Sequence, residues 1–118
     1  MLFDPGKGMT GLTKDHSWVA EQQGAGNLAA GEAANHPYRN IITRNLGKDE
    51  SVRLDVKTGT LQPGQKILLS SDGLHGVVPG NEIESILRKV PKEKVPQALI
   101  DKANSLGGPD NITALIAG

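Results

Sequence analysis

Two aspartates stand at the edges of apolar runs in this sequence. KILLSSDGLHGVV (66–78) carries Asp72, and GGPDNITALI (107–116) carries Asp110. A carboxylate beside glycine suits a hard divalent cation, because glycine lets backbone approach closely while oxygen ligands gather round the ion. Each motif also has a plain structural reading: Asp-Gly is a common turn, and Pro-Asp-Asn is a good turn and strand entry. The two form one site only if the fold unites them. If the runs at 66–71 and 111–116 are antiparallel neighbours, the chain meets Asp72 on leaving one strand and Asp110 on entering the other. Both carboxylates then lie at the same end of a sheet.

The elements that must do this are legible to different degrees. Ile67, Leu68 and Leu69 are continuous, as in a strand covered on both faces, and LQPGQ (61–65) before them is a turn. Val52, Leu54 and Val56 alternate with Arg53, Asp55 and Lys57, which predicts a strand with one wet face. Asn81 is expected to cap a helix whose stripe is Ile83, Ile86, Leu87 and Val90, closed by Pro91. Val95, Leu99, Ala103 and Leu106 repeat at helical spacing up to Gly107 and Gly108. Ile112 to Ile116 reads as a last strand. Upstream, Asp15 or Ser17 caps a short helix that contains Trp18, Val19 and Gln22 and ends at Gly24. Pro37 sets a boundary at His36. RNIITRNLG (39–47) is open between a helical turn and a strand. Short strands joined by turns and helical hairpins predict an α+β fold with antiparallel sheet.

Composition narrows the function. The chain has 118 residues, enough for one small domain with a single core, and 13 basic side chains balance 13 acidic ones. No basic stripe for a phosphate backbone is visible, and Phe3, Trp18 and Tyr38 are its only aromatic residues, so nucleic acid is excluded as a partner class. No stretch approaches the ~20 apolar residues that a membrane-spanning helix needs, and no apolar signal region follows Met1. With no cysteine either, the expected location is the cytoplasm.

Four blocks, in order, carry a resemblance. LTKDHSWVAEQ (12–22), HPYRNIITRNLG (36–47), LQPGQKILLSSDGL (61–74) and GGPDNIT (107–113) resemble the bacterial form of the metal-dependent protein serine/threonine phosphatases of type 2C. That family's fold is an αββα sandwich, with two antiparallel sheets between helical layers. The resemblance implies that Asp72 and Asp110 coordinate a binuclear Mn²⁺ or Mg²⁺ centre, that Gly73 and Asn111 support it, and that residues 20–37 form a flap beside it. Asp15 would support the base of that flap. It also implies two ions about 4 Å apart that activate a shared water for in-line attack on phosphoserine or phosphothreonine. A phosphoprotein substrate and a cognate serine/threonine kinase pathway are the implied partners. The family's first-half motifs, Asp-Gly-x-Gly-Gly and Gly-Asp-Ser-Arg among them, are absent. Residues 1–118 are therefore expected to be the C-terminal part of a catalytic domain about twice as long, with weak metal affinity and negligible activity alone. Sheet edges left unpaired predict homo-oligomers.

Other residues carry weaker readings. His16, His36 and His75 lack the close spacing of a zinc motif; His16 is expected to order its own turn, and His75 is given no role. Arg44 reads as structural. Ser70 and Ser71 lack the surroundings of a nucleophilic serine, and the Gly6 to Gly8 segment lacks the spacing of a phosphate loop. The competing function is a non-catalytic module that keeps the phosphatase shape for binding or regulation.

Overall fold

The turn before the run at 66–70 is closed by its own residues. Gln65 N–H donates to the Gln62 carbonyl at 3.0 Å, and Gly64 takes φ +84°, which glycine adopts without strain. The structure, a computed structural model, describes residues 1–15, 17–33, 36–39 and 41–118. Its strands are β1 (Leu2–Asp4), β2 (Gly8–Thr10), β3 (Lys66–Ser70) and β4 (Ala114–Ala117). Its helices are α1 (Trp18–Gly24), α2 (Ala30–Ala33), α3 (Asp72–His75), α4 (Gly80–Lys89) and α5 (Val95–Ser105), with a 3₁₀ turn at Lys92–Lys94. His16, Ala34, Asn35 and Asn40 lie outside the described residues, as therefore do the expectation for His16 and part of the segment 20–37.

The chain divides into two compact units, residues 1–12 with 59–118 and residues 13–58. In the first, the strands form one antiparallel sheet in the order β2-β1-β3-β4. The fold is the expected α+β class: antiparallel sheet with flanking helices. Phe3 and Leu68 point from one face of the sheet into a core completed by Leu74, Val78, Ile83, Leu87, Val95, Leu99 and Ala103. Ile83 and Leu87 are successive knobs of the α4 stripe, while Val95, Leu99 and Ala103 are those of α5, so the helical period decides which residues are buried. Lys102 Nζ meets Glu82 at 3.2 Å between the two helices. Arg88 donates to its i−4 neighbour Glu84 and to the Pro5 carbonyl, both at 2.8 Å.

The hairpin of β1 and β2 has no counterpart in the sequence reading. Asp4 makes it: the carboxylate accepts from the Gly6 and Lys7 amides at 2.8 and 3.1 Å, closing a turn through the segment set aside as a phosphate loop. The Gln65 side-chain amide Nε2 also donates to Asp4 Oδ2 at 2.7 Å, and these donors, Gln65 foremost, hold its carboxyl below the usual aspartate value.

In the second unit, Ser17 caps α1 by accepting the Ala20 amide at 3.2 Å, so Ser17 rather than Asp15 is the cap. Trp18, His36 and Tyr38 form a ring cluster, with Tyr38 edge-on to Trp18 at 5.2 Å between centroids. The segment 39–47 contributes one isolated bridge, Ile42 to Ser17.

Three expectations are corrected. Residues 52–56 form no strand: Leu54 and Val56 are 77% and 80% exposed, and among the described residues no neighbouring strand gives the segment a ladder. Instead Arg44 donates to the Arg53 carbonyl and pairs with Asp55 at 3.3 Å, consistent with its structural reading. Asn81 does not cap α4, since Pro79 holds that position and its fixed φ already suits a helix start. The last strand begins at Ala114, because Ser71 takes the hydrogen bonds of Thr113 just before it.

Candidate metal centre

β3 and β4 run antiparallel with Ser70 opposite Ala114 and Leu68 opposite Ile116. Asp72 is two residues beyond Ser70 and Asp110 four before Ala114, so both aspartates lie at the same end of the sheet. A third residue knits this end together. The Ser71 amide donates to the Thr113 carbonyl at 3.0 Å, its hydroxyl accepts from the Thr113 amide at 2.9 Å, and the same hydroxyl donates to the Asn111 carbonyl at 3.3 Å. Ser71 thus extends the β3–β4 pairing past the last ladder residues up to the two acidic positions.

Gly73 sets how closely the two segments approach. A β-carbon at that position would overlap the Asn111 carbonyl oxygen, and the Asp110 carbonyl carbon lies 3.5 Å from where it would sit. Any side chain would push the backbone that carries Asp110 away from the backbone that carries Asp72. Asp72 opens α3 rather than standing in a turn, and Gly73 and Leu74 behind it are buried. Asn111 acts through its backbone: its carbonyl faces Gly73 and Ser71, and its amide donates to Asp110 Oδ1 at 2.7 Å. Both carboxylates are exposed to solvent. At the other end of α3, His75 Nδ1 lies 3.1 Å from Ser70 Oγ.

Asp72, Asp110, Gly73 and Asn111, the residues singled out in the sequence, come together at one end of the sheet. Ser71 joins them, although its sequence context raised it only as a nucleophile. The signal was available: a serine between a strand and its following Asp-Gly is well placed to bond a neighbouring strand's backbone. Asp15 lies in the other unit, exposed and without the capping contact.

As a metal centre the set is of the right chemistry but partial. Two exposed carboxylates at one sheet end suit a hard cation, whereas among the described residues no group of three or more histidine, cysteine, aspartate or glutamate side chains could hold an ion. No helix among the described residues is long and apolar enough to cross a membrane.

No protein-family model matches the chain. Among curated proteins, a putative type 2C protein phosphatase of Streptococcus pyogenes is 45% identical over 103 residues, covering 86% of this chain and 42% of that protein. The serine/threonine phosphatase stp of Listeria monocytogenes is 42% identical over 106 residues, covering 89% of this chain and 42% of its own. Among solved structures, the S. agalactiae serine/threonine phosphatase superposes with a TM-score of 0.88 at 38% identity, over 98% of this chain and 48% of that one. The catalytic domain of the phosphatase PstP, in complex with two manganese ions, gives 0.74 at 28% identity, over 98% of this chain and 46% of its own.

The chain is therefore related to the bacterial type 2C protein serine/threonine phosphatases, as the four sequence blocks imply. It spans less than half the length of the relatives it matches, consistent with the C-terminal half that the order of those blocks suggests.

Proposed function

We propose that residues 1–118 are the C-terminal part of a metal-dependent protein serine/threonine phosphatase domain, in which Asp72 and Asp110 supply two of the oxygen ligands of a Mn²⁺ or Mg²⁺ centre. The observation that carries this reading is the knit of Ser71 onto Thr113 and Asn111, which brings both aspartates to one end of the sheet. The manganese bound to the related PstP domain supports the choice of metal class. Such ions, when bound, lower the pKa of a water and neutralise phosphoryl oxygens.

The roles of this chain's own residues follow from their contacts. Gly73 lets the backbone of residues 110–111 close onto α3, and Ser71 holds it there. Asn111 orients Asp110 through its amide. The substrate is a phosphoserine or phosphothreonine protein from a serine/threonine kinase pathway, and the compartment is the cytoplasm. Two carboxylates leave most of an ion's coordination to water or to other polypeptide, so metal affinity is weak and turnover by these residues alone is negligible.

The test uses Mn²⁺ as a paramagnetic probe of the 118-residue protein. Amide signals of residues 70–75 and 109–113 should broaden first on titration, and Asp72→Asn or Asp110→Asn should abolish that broadening. Preferential broadening elsewhere would overturn the assignment. Turnover of p-nitrophenyl phosphate that is robust and is lost in Asp72→Asn would show instead that the chain carries a complete site.

A further inference from the structure

The two aspartates are held by different means. Asp110 is fixed directly, its Oδ1 accepting the Asn111 amide at 2.7 Å. For the Asp72 carboxylate no hydrogen bond or ion pair is found among the described residues, so its place depends on the backbone of α3. α3 has four residues, too few for a helix that holds itself in water. Its capping residue is also engaged elsewhere: Ser71 stands at the N-cap position, yet its hydroxyl bonds Thr113 and Asn111 across the sheet and gives α3 no side-chain cap.

A second tie closes this turn from its far end. Ser70 alternates in step with Leu68 along β3 and so shares the face of the sheet that carries the core, where Leu74 is also received. His75, the last residue of α3, sets Nδ1 3.1 Å from Ser70 Oγ. The contact joins residue 70 to residue 75 and so brackets Asp72, while the Gly76 amide donates to the Asp72 carbonyl at 2.8 Å. We propose that His75 is a positioning residue for the metal centre, acting through Ser70: the pair clamps the single turn of α3 onto the end of β3 and so fixes the backbone that presents Asp72. The inference rests on the metal-centre reading and deepens it. It gives a role to a histidine whose sequence context supplied none.

Either tautomer serves the clamp, since Ser70 Oγ can accept from Nδ1–H or donate to a bare Nδ1. The ring adds no ligand of its own and acts on Asp72 through the backbone. Cation affinity at a pair of exposed carboxylates depends on both being in place together, because ordering a wandering ligand costs free energy on binding. Without the clamp α3 frays while Leu74, fully buried, stays anchored in the core. The loss therefore falls on the position of Asp72 and spares the fold.

The test uses the 118-residue protein with Mn²⁺ as the probe. In the metal-free protein, His75→Ala and Ser70→Ala should each speed solvent exchange of the Gly76 amide by at least ~threefold, as local opening of α3 becomes more frequent. With Mn²⁺ present, each should raise the concentration that half-broadens the amides of residues 70–75 by about tenfold, the lower end of what losing a group that holds a ligand in place costs a metal site. The double substitution should cost no more than either alone, since both remove one contact. His75→Asn, whose side-chain amide falls where Nδ1 was, should restore both readings, which a merely space-filling histidine would not allow. The urea midpoint should stay put in all of these variants, the contact being at the surface. Gly76 exchange indifferent to both alanine substitutions would overturn the clamp, whatever the metal does. Faster exchange with an unchanged Mn²⁺ midpoint would break its link to Asp72. Broadening of the unsubstituted protein away from residues 70–75 and 109–113 would instead remove the metal-centre reading, and the positioning role with it.

Discussion

Residues 1–12 with 59–118 and residues 13–58 contain similar apolar patterning but use it differently. In the first unit nine buried residues form one contiguous cluster, and each helix stripe faces it. In the second, Val19 is the buried hydrophobic residue among those described, while Ile42, Leu46, Leu54 and Val56 are exposed. The alternation at 52–56 is as regular as that of any strand in the molecule, yet no ladder forms there. Apolar periodicity is a statement about what a segment could bury, and burial also needs a partner that arrives from elsewhere in the chain.

The sharpest way to break this comparison is a matched pair of leucine truncations. Leu99→Ala, in the α5 stripe with no exposed surface, should cost about 2–5 kcal/mol, whereas Leu54→Ala, 77% exposed, should stay within about 0.5 kcal/mol. Urea midpoints measure both, and equal costs would show that residues 13–58 bury more than their exposure indicates. Next in size is Gly73→Ala, expected to cost about 1–3 kcal/mol because the new methyl meets backbone and not a flexible side chain. It should also abolish the Mn²⁺ broadening at 109–113, separating a packing role from one confined to stability. In the second unit, Ser17→Ala should cost about 1 kcal/mol by removing the α1 cap, read as loss of amide protection at Ala20.

The smallest effect concerns pH. The Gln65, Gly6 and Lys7 donors lower the Asp4 pKa below 3.8, so the folded state favours its ionised form. That stabilisation is fully present above pH 3.8 and is lost as pH falls through the lower folded value. The acid-induced drop in urea midpoint should therefore be shallower in Asp4→Ala than in the unsubstituted protein. An identical drop in both would remove Asp4 from the account of the hairpin.

Legibility in the sequence followed the range of the interactions. Helices α4 and α5 were readable because Ile83, Leu87, Val95, Leu99 and Ala103 repeat within a few residues of one another. β3 was readable as a strand from its apolar run and the turn at Gly64, but the expected cover on both faces is not found, since Leu69 is 57% exposed. The hairpin of β1 and β2 was missed because three-residue strands carry too little pattern, and its stability comes from Gln65 and β3, far along the chain. Asp72 was legible beside Gly73 and Asp110 shortly after Gly107 and Gly108, both at the edges of apolar runs. Ser71 was not, since its role depends on Thr113 and Asn111.

By itself the sequence determined local preference: which residues turn, which repeat on a helix face, and which side chains could ligate a cation. Those follow from dihedral limits, side-chain chemistry and spacing, all of which act within a turn or two. Only the tertiary structure decided that β3 and β4 pair antiparallel, that the aspartates share one end of the sheet, and that residues 52–56 go without a ladder. Strand hydrogen bonds are supplied by another part of the chain, so a strand's fate depends on what comes to lie beside it.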